Sequence, residues 1–222
     1  MPEVSAVIVA RANSQRVENK ALQVLNKHTL LANKILQLKD CECIDRVIVG
    51  TDSDAIAAEA KEYGAEVVIR PDYYCDESVA SANEMIGNMM ELIETDVVVW
   101  AHCTNPFIHP DTYDAAVQKF LSCEDEGYDS LLSVIELKEH LWGPDKQVLN
   151  YNPYAERHTL SKDLPSYYMQ DGGIFIQRHA DMKANSYFFG QKPYLFEVPK
   201  DQFCDINTLD DLEHAIYRSK KK

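Results

Sequence analysis

The chain has 222 residues, of which 45% are hydrophobic and 26% charged. That is close to an average globular composition, so it can bury a sizeable core and is not a disordered segment. Lys+Arg of 22 against Asp+Glu of 36 leaves a net charge of −14. This excludes a general binder of nucleic acid or anionic membrane, both of which need a basic surface, and an anionic ligand must meet a local cluster of positive charge.

No run reaches the roughly 18 apolar residues of a membrane span. The start, Met1-Pro-Glu-Val-Ser5, is not a basic segment followed by an apolar one, so the expected compartment is the cytoplasm. Cys41, Cys43, Cys75, Cys103, Cys123 and Cys204 are scattered, and the Cys41-x-Cys43 pair has no second pair at zinc-ligand spacing. Reduced structural thiols are expected.

The chain opens with an apolar run, Val4 to Ala10, that reads as a buried strand. A polar loop, Arg11 to Lys20, follows it. Thr29 to Leu38 has helical spacing of apolar residues, and Arg46 to Gly50 is a second strand. Ser53 to Tyr63 reads as a helix with Ser53 as N-cap and Gly64 as stop. Glu66 to Arg70 is a third strand, ended by Pro71. Ser81 to Ile93 is a Met-rich helix, and Asp96 to Trp100 is an apolar strand suited to the middle of a parallel sheet. Asp111 to Ser122 (helix) and Ser130 to Ile135 (strand) continue the alternation, which predicts a mostly parallel α/β sheet with helices on both faces.

The rhythm breaks from Glu136 to Gln170, where Gly143-Pro144, Asn152-Pro153 and Leu164-Pro165 interrupt any period. This stretch reads as an extended arm inserted in a single domain spanning 1–222. Its Leu141, Trp142, Tyr151, Tyr154, Tyr167 and Tyr168 are too many large apolar or aromatic groups to leave in water, so a contact with a second subunit is expected. Gly172 to Ile176 and Tyr194 to Val198 resume the sheet, and Leu209 to Arg218 closes the chain as a helix.

The loop Ala10-Arg-Ala-Asn-Ser-Gln-Arg-Val-Glu-Asn-Lys20 carries the most information. It follows the first strand of an open α/β sheet, where ligands bind beyond the carboxyl ends of strands. Arg11, Arg16 and Lys20 concentrate positive charge there on an acidic chain. Arginine gives forked contacts to phosphate oxygens and lysine a mobile point charge. The loop lacks the glycines of a Walker or dinucleotide fingerprint. The alternative for such a loop is a solvated basic surface.

The loop resembles the Ala-Arg-x-Gly-Ser-x-Arg-x-x-x-Lys motif of acylneuraminate cytidylyltransferases, which make CMP-activated nonulosonic acids. Ala10, Arg11, Ser14, Arg16 and Lys20 match, while Asn13 stands where that family has Gly and Ala21 where it has Asn. Gly50-Thr-Asp-Ser-Asp-Ala-Ile56, Ala60 to Val67 and Arg70-Pro71 look like its second strand, helix and third strand. His102-Cys-Thr-Asn-Pro-Phe107 stands for Gln-Pro-Thr-Ser-Pro-Leu. Asp163-Leu-Pro, Asp171-Gly-Gly-Ile-Phe-Ile176 and Asp205-Ile-Asn-Thr-Leu-Asp-Asp-Leu212 follow in the family's order. Ser161 and Lys162 replace an Arg-Gln pair, which together with His102 argues against N-acetylneuraminate itself as acceptor.

The resemblance implies a Rossmann-like sheet of the nucleotide-diphospho-sugar transferase type and a homodimer held through the arm. It implies transfer of CMP from CTP to the hydroxyl of an acidic sugar, with release of pyrophosphate, as in surface polysaccharide biosynthesis. Ala10, Arg11, Ser14, Arg16 and Lys20 would hold the triphosphate, and Arg70 and Ser81 the base or ribose. A helix N-cap is the other use of Ser81. His102, Thr104, Asn105, Asp171 and Gly172 would face the acceptor, His102 as a hydrogen-bond donor or a base. For Thr104 and Asn105 the other use is turn formation before Pro106. Mg²⁺ is the implied cofactor, with Asp205 and Asn207 on one face of a strand end. Asn207 stands where the family has Asp and carries no charge. Asp210 and Asp211 read instead as helix N-terminal charge. Arg11, Lys20 and Asp205 are the expected catalytic set. Two further possibilities are another acceptor on the same fold (a phosphosugar, polyol phosphate or phosphonate) and a nucleotide-binding protein without turnover.

Overall fold

The computed structural model describes residues 2–12 and 16–221. The short β-branched runs form strands that alternate in face. In β1 (Val4–Val9), Val4, Ala6 and Ile8 enter one core cluster and Val7 the other. In β4 (Val97–Ala101), Val97, Val99 and Ala101 face the first cluster and Val98 and Trp100 the second. This period of two, apolar on both sides, is the mark of a sheet covered on both faces.

The other strands are β2 (Arg46–Thr51), β3 (Glu66–Ile69), β5 (Ser130–Leu137), β6 (Tyr167–Arg178) and β7 (Pro193–Glu197). Together they make a 7-stranded sheet in the order β3-β2-β1-β4-β6-β5-β7. The helices are α1 (Leu30–Lys39), α2 (Asp54–Glu62), α3 (Ala82–Glu91), α4 (Pro110–Cys123), α5 (His179–Asn185) and α6 (Leu209–Ser219). Helices α1, α2, α4 and α6 send apolar residues into the first cluster, and α3 and α5 into the second. Caps set the helix starts: Thr29, Ser53, Ser81 and Thr208 each accept a hydrogen bond from a backbone N–H of the first turn. Gly64, at φ 78°, turns the chain off α2.

The sheet is mostly parallel as expected, and the exception is β6, which runs antiparallel to both β4 and β5. The arm contains no crossover helix, and a chain that leaves β5 and returns without one can pair only in reverse. The arm is also shorter than its expected bounds of Glu136 to Gln170. Its two ends are strand, with Glu136 paired to Tyr168 and Val134 to Gln170. What remains, 138–166, holds a bridge between Trp142 and Val148 and a 3₁₀ turn at Ser161–Asp163.

Chain order reverses between β1, whose other neighbour is β2, and β4. The carboxyl ends of these two strands therefore open a crevice at a topological switch point. The loop after β1, the turn after β4 and a break in the β5–β6 ladder all lie there. Between the Leu132–Phe175 and Val134–Gln170 pairs, β6 uses more residues than β5, so Asp171 to Gly173 bulge out of the sheet. Bulges of this kind commonly redirect side chains beside a site.

Candidate active site

The crevice is a cavity of about 440 Å³. Arg11, Arg16, Asp205 and Asn207 line it, as do His102, Thr104 and Gly172. Ser81 lies at its rim. The cavity thus brings together residues far apart in the chain.

Arg11 leaves β1 directly, and the Ala12 N–H donates to Asp52 Oδ1 at 3.0 Å, tying the loop to the end of β2. The Arg11 guanidinium pairs with the Glu77 carboxylate, which also lines the cavity. Arg16 is exposed, while its neighbour Val17 is buried and pins the loop. Lys20 opens a 3₁₀ turn and its Nζ donates to the carbonyl of Ile206 at 2.9 Å, between Asp205 and Asn207. Burial and the nearby Arg16 lower the proton affinity of Lys20, against the opposing pull of Asp205. Ala10 is buried, its N–H on the Gly50 carbonyl. Ser14 lies outside the described residues.

Asp205 and Asn207 sit on an irregular segment rather than the expected strand end. They still share a face, because the intervening Ile206 is fully buried and its N–H donates to the Thr104 carbonyl at 3.0 Å. The Asn207 amide donates to Asp205 Oδ2 at 2.6 Å. Asp211 accepts from Asn207 and Thr208 in the capping box of α6, the helix-terminal role expected of it. Among the described residues no three His, Cys, Asp or Glu side chains gather as a metal cage. One carboxylate with an adjacent amide oxygen nevertheless suits Mg²⁺, which takes few protein ligands and completes its shell with phosphate and water.

The acceptor side differs from expectation. His102 is wholly committed: Nδ1–H donates to the Gly172 carbonyl at 2.7 Å, and Nε2 accepts from the Trp100 indole N–H at 3.2 Å. These partners fix one neutral tautomer. Burial lowers the proton affinity further. His102 therefore lines the cavity with both ring nitrogens already bonded to the protein. Asn105 and Asp171 do not line the cavity; both are buried behind it. Asn105 Nδ2 donates to the Asp171 carbonyl at 3.0 Å. Asp171 Oδ1 accepts from Ser133 and from the Gly173 N–H, which holds the bulge. The expected acceptor contacts of these two residues are corrected to support of the wall. Gly172 adopts φ 72°, a conformation that favours glycine, and turns its carbonyl to His102.

Arg70 is 1% exposed and points into the sheet–helix interface rather than the cavity, with Nε on Asn88 and Nη2 on the Met85 carbonyl. Ser81 is the N-cap of α3 in a capping box with Glu84.

The sequence reading missed the apolar wall of Met85, Trp100, Phe175 and Phe188. Phe175 and Phe188 stack at 4.7 Å between centroids, and Trp100 meets Phe188 edge-on at 5.2 Å. Trp100 and Phe175 read as core because they alternate with core residues. Phe188 follows the unforeseen α5, where no motif marks it. Glu77 was missed too; a carboxylate paired with a cationic loop has no local signature.

Comparisons with known proteins give the chain a family and the fold a neighbour. The family model described as cytidylyltransferase matches residues 5–222. The N-acylneuraminate cytidylyltransferase of Escherichia coli O18:K1:H7 is 28% identical over 229 residues, covering 99% of this chain and 53% of that protein. The pseudaminic acid cytidylyltransferase of Campylobacter jejuni serotype O:2 is 23% identical over 221 residues, covering 94% of this chain and 93% of that one. The chain thus spans about half of the first relative and nearly all of the second. Among solved structures, a CMP:2-keto-3-deoxy-manno-octonic acid synthetase complexed with CTP superposes with a TM-score of 0.71 at 14% identity, covering 99% of each chain.

Proposed function

The chain belongs to the cytidylyltransferase family, and from that premise we propose that it transfers CMP from CTP to a hydroxyl of an acidic sugar of the nonulosonic type. The hydroxyl oxygen loses its proton to solvent and bonds to the α-phosphorus as the bond to the bridging oxygen breaks, and pyrophosphate leaves. The observation that carries the reading is one cavity, at the switch point of the sheet, whose lining includes Arg11 and Arg16 together with Asp205 and Asn207.

Arg11 exchanges Glu77 for triphosphate oxygens, and Arg16 adds a second guanidinium. Lys20, held on the Ile206 carbonyl, presents its charge beside Asp205. Asp205, with the Asn207 amide oxygen, would hold Mg²⁺. When bound, that ion supplies neutralisation of the charge on the transferring and leaving groups. Thr104, Gly172 and His102 frame the acceptor and orient it for attack.

Pyrophosphate release is the test. The purified chain is given CTP, Mg²⁺ and a panel of nonulosonic acids, phosphosugars, polyol phosphates and phosphonates. Turnover with a nonulosonic acid and CTP, and not with ATP, is expected. Turnover only with a phosphorylated acceptor would move the substrate class, and binding of CTP without turnover would remove the enzyme reading.

The arm supports a homodimer in this proposal, since Trp142 and Tyr154 are 60% and 93% exposed on it. Light scattering at micromolar concentration tests this. The product is an activated donor of the kind that surface polysaccharide synthesis consumes. A cytoplasmic site of action accords with six free thiols. Among the described residues no helix is long and apolar enough to cross a membrane.

A further inference from the structure

Helix α1 turns a lysine into the protein interior. Lys34 is 0% exposed, in a place where an apolar side chain would fill the volume without the cost of burying an amine. Its Nζ donates to the Asn105 carbonyl at 2.8 Å and to the Tyr113 hydroxyl at 2.8 Å. Its neighbours on α1, Asn33 and Gln37, both donate to the next carbonyl, Pro106, at 3.1 and 2.6 Å. One helix therefore grips two consecutive carbonyls of the turn after β4.

From that turn the hydrogen bonds run to the cavity. Asn105 Nδ2 holds the Asp171 carbonyl, the adjacent Gly172 carbonyl holds His102, and His102 holds the Trp100 indole. The Asn105 N–H returns to the His102 carbonyl at 3.2 Å and closes the circuit. Every link is buried or half-buried, where an unmatched polar group is costly. Burial lowers Lys34 to about 7, against the opposing pull of Cys103, Cys41 and Asp171. Even as a neutral amine it retains two N–H donors for its two acceptors.

We propose that Lys34 is a positioning residue for the acceptor wall, acting through the Asn105 carbonyl to set the placement of Gly172 and His102. The assignment rests on the cytidylyl-transfer reading for its kinetic consequence, but not for its structural one.

The test uses the full chain and two variants. Lys34→Met keeps the volume and removes both hydrogen bonds. Tyr113→Phe removes only the partner that does not lead to the cavity. The first readout needs no substrate: the NMR signal of the Trp100 indole N–H, with Trp142 as the internal reference, the chain having 2 tryptophans. Lys34→Met is expected to shift the Trp100 signal and speed its exchange, leaving Trp142 in place. The second readout is kinetic. Lys34→Met is expected to raise the acceptor KM about tenfold, the scale of one buried hydrogen bond, with the CTP KM unchanged. Tyr113→Phe is expected to change neither readout.

An unmoved Trp100 signal in Lys34→Met, or equal effects from Tyr113→Phe, would overturn the proposal. If Lys34→Met does not fold, Asn105→Ala keeps the lysine and cuts the next link. It must then displace the same signal, and an unmoved signal there overturns the proposal equally. A wild-type chain that releases no pyrophosphate with any acceptor defeats the transfer reading alone, because the indole signal still decides on Lys34.

Discussion

At the proposed phosphate end of the cavity, Arg11 and Arg16 reach the cavity from a loop, and Asp205 accepts from the Asn207 amide. At the proposed acceptor end, Asn105 and Asp171 are buried and His102 half-buried, tied together through the Asp171 and Gly172 carbonyls. The same residue types thus serve two settings: some line the cavity, and others, buried and bonded to one another, build the wall behind it, although Asp171 Oδ2 has no partner among the described residues. Residue type alone does not separate the two cases; the partners do.

The sharpest way to test the contrast is to remove charge at the open end. Asp205→Asn is expected to lower kcat about 10²–10³-fold, the scale of a lost charge-stabilising group, with unchanged urea unfolding. Arg11→Ala is next, at roughly tenfold to a hundredfold in kcat/KM for CTP. Its partly exposed pair with Glu77 contributes little to folding, so stability is expected to hold there too. Normal kinetics in both variants, measured by pyrophosphate release, would dissolve the phosphate end as drawn.

The closed end is expected to respond in the opposite way. Asn105→Ala leaves the buried Asp171 carbonyl without its donor, and about 1–3 kcal/mol of stability is expected to go, read as a lower urea midpoint. Retained stability with lost turnover would make Asn105 a ligand contact after all.

The fold was legible because its signals are local. Apolar runs, N-caps such as Ser53 and Ser81, and the stop at Gly64 sit at the element ends where the structure places them, within a residue or two. The reversal of β6 is recorded not in Gly172 to Ile176 but in the arm before it, whose prolines leave no room for a crossover helix. The cationic loop was legible as a cluster of charge on an acidic chain. The inward turn of Asn105, Asp171 and Arg70 was not, because it depends on partners such as Ser133 and Asn88, distant in sequence.

His102 gives the contrast a pH signature. Burial holds its folded pKa below the ordinary value near 6.5, with Gly172 and the carboxylates Asp205 and Asp171 opposing and Lys34 reinforcing the shift. As pH falls below about 6.5 the unfolded chain takes up this proton first. Stability is therefore lost through that window, until the folded histidine also protonates. His102→Gln is expected to flatten the acid limb of the stability curve relative to wild type, as measured by urea unfolding across pH. An identical limb in both proteins would mean that the imidazole titrates freely and is open to the ligand.

Ser81 gives the smallest effect and the finest discrimination, since it lines the cavity and also caps a helix. Its hydroxyl donates to Glu84 Oε2 at 2.8 Å and accepts from the Glu84 N–H at 3.2 Å, so its one proton is engaged. Ser81→Ala is expected to cost about 1 kcal/mol, seen as a Tm lower by about 2–4 °C for a chain of this size. Ser81→Asn preserves a capping oxygen and is expected to recover most of that Tm. If capping is the whole role, both variants keep the wild-type KM for CTP. A several-fold rise in that KM in both variants, with Tm restored in Ser81→Asn, would instead place the hydroxyl on the nucleotide. The rim of the cavity would then belong with Arg11 and Asp205, among the residues that meet the ligand.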